Sequence, residues 1–284
     1  MKTKSILFYL LALCNYSLLL AQKDGLYYNK EYYQCENKWV ALPQKEGDDK
    51  YLYGVVYLDG SAGYTFDYQG DFTVVNNKFV RDNKPRESSM KYRIETRWAK
   101  LAILPDEKIK EMGLPTEPDW LKIYREGEND TDRLYRKGYL LNEIGGCQEA
   151  IPVLLQAYAK EPEYKGVLFE LAFAYNATEQ FEKAIEILKK GIAKEPKNYM
   201  FYRELGYAYV QSGNVSEAEK IYTKGIALST DKSQNAEMAF NMAGHYYRVK
   251  DKTNFAKWAA IVKKNSTEDT HFLENLTIME NELK

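Results

Sequence analysis

The sequence predicts an α+β protein of two domains, in which a small antiparallel β domain precedes an all-α solenoid of stacked helical hairpins. Two observations lead to this fold class. A 34-residue period runs through the second half of the chain, and short aromatic or β-branched runs alternate with turn residues in the first half. The 284 residues are enough for two modest domains, each with a core of its own.

Residues 1–21 have the composition of a secretory signal peptide. Lys2 and Lys4 give a positive start, and residues 5–13 form a short apolar run that polar residues then interrupt. This run is too short to span a bilayer comfortably, so we expect cleavage after Ala21 and a secreted or periplasmic mature chain. The ending Leu-Ala-Gln resembles the leaders of exported proteins from Bacteroidetes-type bacteria.

The three cysteines leave two alternatives open. A lipoprotein anchored at Cys14 is the less favoured reading, because Leu13 stands where a lipobox has a small residue. Cys35 and Cys147 could form a disulfide in an exported protein, but they fall in different predicted domains. We expect two separate thiols.

The charge balance argues against a nucleic-acid partner. Forty Lys and Arg residues face 41 Asp and Glu residues, for a formal net charge of -1. Such a chain offers no strong positive field to neutralise phosphates. No apolar stretch after the leader approaches membrane-spanning length, so we expect no membrane insertion once the leader is removed.

Several residue types recur at intervals of 34 residues, which indicates stacked helix-turn-helix units. The small residues of the series sit where two helices would cross, and the prolines would end each second helix. The recurring residues are Ala150, Ala184 and Ala218; Pro162 and Pro196; Gly138, Ala172 and Gly206; and Leu141, Tyr175 and Tyr209.

These units resemble tetratricopeptide repeats (TPRs), and the resemblance covers about half of the chain. Residues 131–164, 165–198 and 199–232 form three units, although Thr230 replaces the expected proline of the third. A fourth unit, 237–264, fits after a slip of four residues, which places Gly244, Ala256 and Ala260 at signature positions. Residues 265–284 are expected to form a C-terminal capping helix.

The period changes in residues 22–104, the tyrosine-rich β domain. We expect strands near 25–33, 38–42, 51–58, 64–68, 72–75 and 90–103, with turns at 59–63 and 69–71. Residues 91–98 alternate as in a half-buried strand. The sheet is either a single layer or barrel-like. Residues 105–130 are expected to form a helical linker to the repeats.

No motif in the sequence indicates catalysis, a cofactor or a metal. His245 and His271 are 26 positions apart, and no Cys-x-x-Cys or His-x-x-x-His spacing occurs. The glycine-containing segment 59–63 lacks the lysine and the following helix of a phosphate-binding loop. We therefore expect a non-enzymatic protein without cofactors.

The resemblance implies that the first helix of each unit lines a concave groove that binds a peptide or protein segment. The expected function is a protein–protein interaction scaffold of the cell envelope. The lysine and asparagine that clamp acidic chaperone tails in some members are absent, because Tyr135 and Tyr139 stand at the fifth and ninth places of the first unit. The expected groove residues are Tyr135, Tyr139, Asn142, Phe169, Phe173, Asn176, Met200, Arg203, Tyr207, Met238, Asn241, His245 and Arg248.

The alternative from another class is a carbohydrate or cell-wall binder that stacks sugars on aromatic side chains of the β domain. Aromatic residues at strand spacing more often pack a small core. The rings in question are Tyr27, Tyr28, Tyr32, Tyr33, Trp39, Tyr64, Tyr68 and Trp98.

Overall fold

The computed structural model describes residues 22–82, 90–95, 98–266 and 271–283. The expected leader and its cleavage site lie outside these residues. The chain divides into two compact units, one ending at Glu128 and the other beginning at Asn129. The first is built on an antiparallel sheet and the second entirely of helices, which confirms the predicted fold class.

Within its described residues, the first unit carries eight short to medium strands. They are β1 (Gln22–Lys23), β2 (Leu26–Tyr27), β3 (Lys38–Ala41), β4 (Tyr51–Asp59), β5 (Gly63–Val75), β6 (Lys78–Arg81), β7 (Met90–Arg93) and β8 (Ala102–Ile103). A 3₁₀ helix, Tyr32–Cys35, lies between β2 and β3. β1 and β2 form a small hairpin, and the other six strands form one open sheet of order β6-β5-β4-β3-β8, with β7 also paired to β5.

The predicted meander is present from β3 to β6, but the turn predicted at 69–71 is wrong. β5 runs unbroken through it, and the pairing register with β4 shifts between Tyr53 and Gly54. Gly70, with φ of 146°, pairs with Tyr53 at this bulge. A glycine that relieves a bulge inside a strand has the same sequence signature as a glycine in a turn. The true turn follows at Asn76 and Asn77, both in the left-handed region that a tight hairpin requires.

Two other predicted strands are shorter than expected. The strand near 25–33 is reduced to β2, because the chain bends into the 3₁₀ helix. The strand expected over 90–103 is two separate strands: β7 pairs with the first half of β5 and β8 pairs with β3. All four residues of β7 are exposed, so the half-buried strand predicted from the alternation in 91–98 is wrong there.

Residues 105–128 hold two short helices, α1 (Asp106–Glu111) and α2 (Leu121–Arg125). Gly113 ends α1 in the left-handed conformation, as a glycine after a helix commonly does. Ile109 and Leu121 are buried in the same core as Trp39 and Tyr53 of the sheet. These helices therefore pack into the core of the first unit, which ends at Glu128.

The part of the second unit that the structure describes consists of four antiparallel helix pairs and one terminal helix. The pairs are α3 (Thr131–Glu143) with α4 (Cys147–Lys160), α5 (Val167–Ala177) with α6 (Phe181–Lys194), α7 (Tyr199–Gln211) with α8 (Val215–Leu228), and α9 (Lys232–Arg248) with α10 (Lys252–Asn265). The terminal helix is α11 (His271–Glu282), and it packs against both α9 and α10.

Glycines allow close packing between helices of the second unit. A methyl group on Gly138 would lie 2.4 Å from the Leu154 side chain, and one on Gly206 would lie 2.3 Å from Tyr222. Between successive pairs, Phe201 packs over Gly191 and Met238 packs over Gly225. Only a residue without a side chain fits at these four glycine positions without a shift of its neighbour.

The register predicted for the fourth pair is wrong by one residue. Ala256 and Ala260 are exposed, whereas Phe255 and Ala259 are buried. A residue in the left-handed conformation lies between the two helices of each pair, at Gly145, Glu179, Gly213 and Lys250. The first two spacings between these residues are 34 positions, and the last is 37. The insertion is therefore three residues long. It extends α9 by a turn at its start, because the Asp231 side chain accepts hydrogen bonds from the amides of Ser233 and Gln234 there.

Candidate functional site

The first helices of the four pairs form a continuous inner row. α3 contacts α5, α5 contacts α7 and α7 contacts α9 along the row. Side chains at equivalent places of these helices therefore line up from one pair to the next. We call the side chains at the fifth and ninth places of the first three pairs the first-helix face; they are Tyr135, Tyr139, Phe169, Phe173, Arg203 and Tyr207.

The aromatic members of the first-helix face are partly exposed, and two of them contact a neighbouring ring. Tyr139 is 45% exposed, and the other four rings are half-buried. Phe169 meets Phe201 edge-on at 5.8 Å between ring centroids, and Tyr207 meets Phe181 at 6.3 Å. Each of these rings is thus fixed in orientation by a neighbour while part of it faces solvent.

Asn142 and Asn176 lie beside the face but do not offer their amides to a ligand. The Asn142 side chain donates to the backbone oxygen and to the Oε2 carboxylate oxygen of Glu170, both at 2.9 Å. Asn176 makes the same pair of bonds to Glu204, at 3.1 and 2.9 Å. Both donors of each amide therefore already join one repeat to the next.

This asparagine–glutamate contact stops after the third pair. Val210 occupies the place of the asparagine and has no donor, and Asn241 occupies the place of the glutamate. Asn241 instead donates to the buried Tyr222 hydroxyl at 3.2 Å. Asn241 therefore makes a contact within the helical unit, and its assignment to the groove stays a prediction.

Arg203 is also engaged within the protein. Its guanidinium group bonds Glu204 Oε1 at 2.8 and 3.1 Å and donates to the side-chain oxygen of Gln234. Gln234 lies in the extra turn of α9. The insertion before the fourth pair thus supplies a side chain that holds Arg203 at the edge of the first-helix face.

The one-residue register shift moves the remaining predicted residues of the fourth pair off the row. Met238 is fully buried over Gly225. Arg248 is exposed, and His245 is half-buried with its pKa lowered by burial and by the nearby Arg248 charge. The places equivalent to the first-helix face belong to Phe240 and Gly244 instead. Met200 is half-buried at the start of α7.

The terminal helix covers part of this fourth inner helix. Phe240 meets Phe272 of α11 at 5.2 Å, and the Tyr247 hydroxyl bonds Glu282. Leu276 of α11 is fully buried. The open part of the inner row is therefore the stretch formed by α3, α5 and α7.

Buried carboxyl groups set the electrostatics behind the face. Burial raises the pKa of Glu170, with Asn142 opposing the rise, and burial also raises the pKa of Glu237. The pKa of Tyr135 rises through burial and through the nearby Glu170 carboxylate. The chemistry of the face is aromatic with an acidic background.

The aromatic residues considered for sugar stacking do not form one exposed surface. Tyr32, Trp39 and Tyr64 are at most 4% exposed, so these three rings cannot stack on a ligand. Trp39 also donates its indole N–H to the Pro115 carbonyl at 2.9 Å. Tyr27 is 56% exposed, and Tyr28, Tyr33, Tyr68 and Trp98 are half-buried.

Three further observations bear on other kinds of site. Within the described ranges, no group of three or more His, Cys, Asp or Glu side chains is arranged to hold a metal ion. In the same ranges, no helix has the length and apolar character needed to cross a membrane. Cys35 and Cys147 are buried free thiols, and burial raises the pKa of Cys35 to about 12.

Comparison with known proteins identifies the repeat. The tetratricopeptide repeat family model matches residues 147–199 and 178–239. A MamA RS-1 ArsTM double mutant has a TM-score of 0.45 and 20% identity, over 51% of this chain and 81% of that chain. MamA 41-end from Desulfovibrio magneticus RS-1 has a TM-score of 0.44 and 18% identity, over 57% and 83% respectively. The comparison with curated proteins gives no match.

Proposed function

The helical unit is a tetratricopeptide repeat array, and from that premise we propose that this protein is a non-enzymatic scaffold that binds an extended protein segment. The observation that carries the proposal is the row of partly exposed rings at the ninth place of α3, α5 and α7, namely Tyr139, Phe173 and Tyr207. Aromatic rings on one open face, each equivalent in the repeat, suit an extended ligand that crosses the repeats in turn.

The dimensions of the row indicate how much ligand it can bind. Packed helices lie about 10 Å apart, so three first helices span about 20 Å. An extended chain advances about 3.3 Å per residue, so about six residues fit along the row. The proposed segment is therefore short, and α11 limits it at the fourth pair by covering Phe240.

The residues of the face favour a ligand with apolar anchors. Rigid rings bury much area at a small cost in side-chain entropy, which is why aromatic residues dominate binding energies at interfaces. The Asn142 and Asn176 amides and the Arg203 guanidinium group are already bonded within the protein.

The test is capture of a partner from an extract of the source cells by the full chain, quantified by mass spectrometry. The variant carries Tyr139→Ala, Phe173→Ala and Tyr207→Ala together, and we expect capture to fall at least tenfold because the three anchors are lost. The control carries Leu155→Ala, Val249→Ala and Ile278→Ala, which remove exposed apolar side chains elsewhere on the same unit.

Far-ultraviolet circular dichroism would verify that both variants retain their helices. A folded triple variant that captures the partner as well as the wild type does would contradict the proposed site. A control variant that loses the partner equally would show that general surface hydrophobicity is responsible. In either case the first-helix face would not be the binding surface.

We also propose that residues 1–21 are a cleaved leader and that the scaffold acts in the cell envelope. The support is the composition of the segment, with its positive start, short apolar run and small residue at Ala21. Mass spectrometry of the protein from its native cells should give a chain beginning at Gln22. A lipid-modified chain beginning at Cys14 would overturn this.

A further inference from the structure

Three aromatic rings of the first unit pack against one another at the sheet. The Tyr57 and Tyr124 ring centroids are 4.4 Å apart and inclined by 57°, and Tyr57 and Trp120 are 5.3 Å apart at 72°. Trp120 and Tyr124 are 6.0 Å apart and nearly perpendicular, at 87°. We call these three rings the aromatic box.

The box holds a cation of the protein itself. The Lys91 ammonium nitrogen lies 5.0 Å from the centroid of Tyr124, 5.5 Å from that of Tyr57 and 5.6 Å from that of Trp120. It also donates a hydrogen bond to the Tyr124 hydroxyl at 3.0 Å. Each ring presents negative charge density to a cation at this range, and three rings together make a strong site for one.

The ammonium group fits the box electrostatically as well as sterically. The hydrogen bond to Tyr124 raises the pKa of Lys91 to about 12, so its charged form is favoured there. Burial raises the pKa of Tyr57 to about 12, which keeps the floor of the box neutral. The groups that raise the pKa of Lys91 are Tyr124 and Tyr57, while burial opposes the rise.

The box opens at the surface. Tyr57 is 1% exposed and forms the floor, while Trp120 and Tyr124 are half-buried walls. Lys91 enters from β7, whose four residues are all exposed. Lys91 thus approaches the rings from an exposed strand, whereas Tyr57 lies on β4, Trp120 directly precedes α2 and Tyr124 lies in α2.

We propose that the aromatic box is a binding site for a methylated ammonium group, with Lys91 as an internal occupant that competes with the ligand. A quaternary ammonium needs no hydrogen bonds and gains fully from the ring faces, whereas a primary ammonium must give up water to enter. The site is independent of the first-helix face, and its ligand could be a small choline-like molecule or a methylated lysine side chain.

The first experiment titrates the full chain with tetramethylammonium chloride against sodium chloride of equal ionic strength, followed by tryptophan emission and calorimetry. We expect Lys91→Ala to bind at least fivefold more tightly than the wild type, because the competitor is gone. Lys122→Ala is the matched control, since this lysine of α2 is exposed and pairs with Asp119; it should bind as the wild type does.

Substitutions of Tyr124 then distinguish the contribution of its ring to binding from that of its hydroxyl group. In the Lys91→Ala background, Tyr124→Leu should weaken tetramethylammonium binding at least tenfold, while Tyr124→Phe should leave it within twofold. Choline and an acetylated trimethyllysine amide, titrated in turn, distinguish a free ligand from a protein side chain. Circular dichroism would verify folding of each variant.

Wild-type protein supplies the deciding measurement if a variant fails to fold. Acetylation of Lys91 by acetic anhydride, measured by mass spectrometry, should accelerate at least threefold in tetramethylammonium chloride because the ligand displaces the side chain. An acetylation rate equal to that in sodium chloride would overturn the proposal. A folded Lys91→Ala protein that binds no more tightly than wild type, or that keeps its affinity after Tyr124→Leu, would overturn it too.

Discussion

Glu170 shows how a single residue can be both necessary for packing and costly to the fold. It is 8% exposed, and its backbone oxygen and its Oε2 carboxylate oxygen both accept hydrogen bonds from the Asn142 side chain. Burial raises its pKa, because a charged carboxyl is poorly solvated in that position. The contact between repeats therefore includes a carboxyl whose charged form is less favoured in the folded protein than in water.

The pH dependence of stability follows from this pKa. An unfolded glutamate titrates near pH 4.3 and the folded one at higher pH, so between the two values the folded protein holds more protons. The contribution of Glu170 therefore favours the fold below the unfolded pKa and is lost as the pH rises through the folded pKa. Glu170→Gln should raise the free energy of unfolding at pH 7 relative to wild type, and this advantage should vanish near pH 3.

Urea denaturation of both proteins at the two pH values would measure the difference. Glu182→Gln changes an exposed glutamate of α6 and serves as the control, with no comparable dependence on pH. If Glu170→Gln were destabilising at pH 7, the carboxylate would be the better partner for Asn142, and our account of the contact would be wrong.

The sequence predicted the positions of the aromatic residues on the face better than the roles of the polar ones. Tyr139, Phe173 and Tyr207 are partly exposed, as expected from their place in the repeat. Asn142 and Asn176 recur at the same interval but bond glutamates 28 residues later. A recurring asparagine is compatible with ligand binding and with contacts between repeats, and only the structure shows where its amide points.

At the scale of the helix pair, the insertion of three residues before α9 decides the register of the fourth repeat. The sequence aligned Gly244 and Ala256 with the small residues of earlier pairs, but Ala243 and Phe255 are buried at those places. Neighbouring small residues made two registers nearly equal in sequence. In the observed register, Met238 packs over Gly225. This contact joins two repeats, and the periodicity of the sequence does not reveal it.

Matched tryptophan substitutions test this register. Ala184 is fully buried at a helix crossing, so Ala184→Trp should lower the free energy of unfolding by about 1–3 kcal/mol or more through overpacking. Ala256 is exposed, so Ala256→Trp should change it by less than about 0.5 kcal/mol. Chemical denaturation would measure both, and an equally large loss in Ala256→Trp would restore the register predicted from the sequence.

The extended start of α9 depends on its cap. The Asp231 carboxylate accepts hydrogen bonds from two backbone amides, so Asp231→Ala should cost about 0.5–2 kcal/mol of unfolding free energy. Asp130 precedes α3 without such a bond, and Asp130→Ala is the matched control. Similar values for the two variants would mean that the Asp231 bonds contribute little and that packing alone holds the extra turn.

In the β unit, elements with strong local patterns were predicted well and those decided by pairing were not. The alternating aromatic and β-branched residues of β4 predicted that strand closely. The course of β5 depends on a bulge opposite Tyr53, and Gly70 in the sequence does not distinguish a bulge from a turn. The burial of Leu121 under the sheet likewise depends on contacts between distant segments.

For the molecule as a whole, the two units carry separate surfaces with different chemistry. The helical unit has an open row of rings over three repeats and a fourth repeat covered by α11. The β unit has an aromatic box that holds Lys91. Neither proposed binding surface depends on a catalytic residue. Each unit has a core of its own. Binding at the one can therefore be tested without altering the other.

Site-specific photo-crosslinking tests the central claim most directly. A benzophenone amino acid would replace Phe173 on the first-helix face, Leu155 on α4, or Phe240 under α11, in otherwise unchanged full chains exposed to an extract of the source cells. The account predicts a discrete crosslinked partner from position 173 and none from position 155 or 240. A partner crosslinked from position 155 and not from 173 would contradict it.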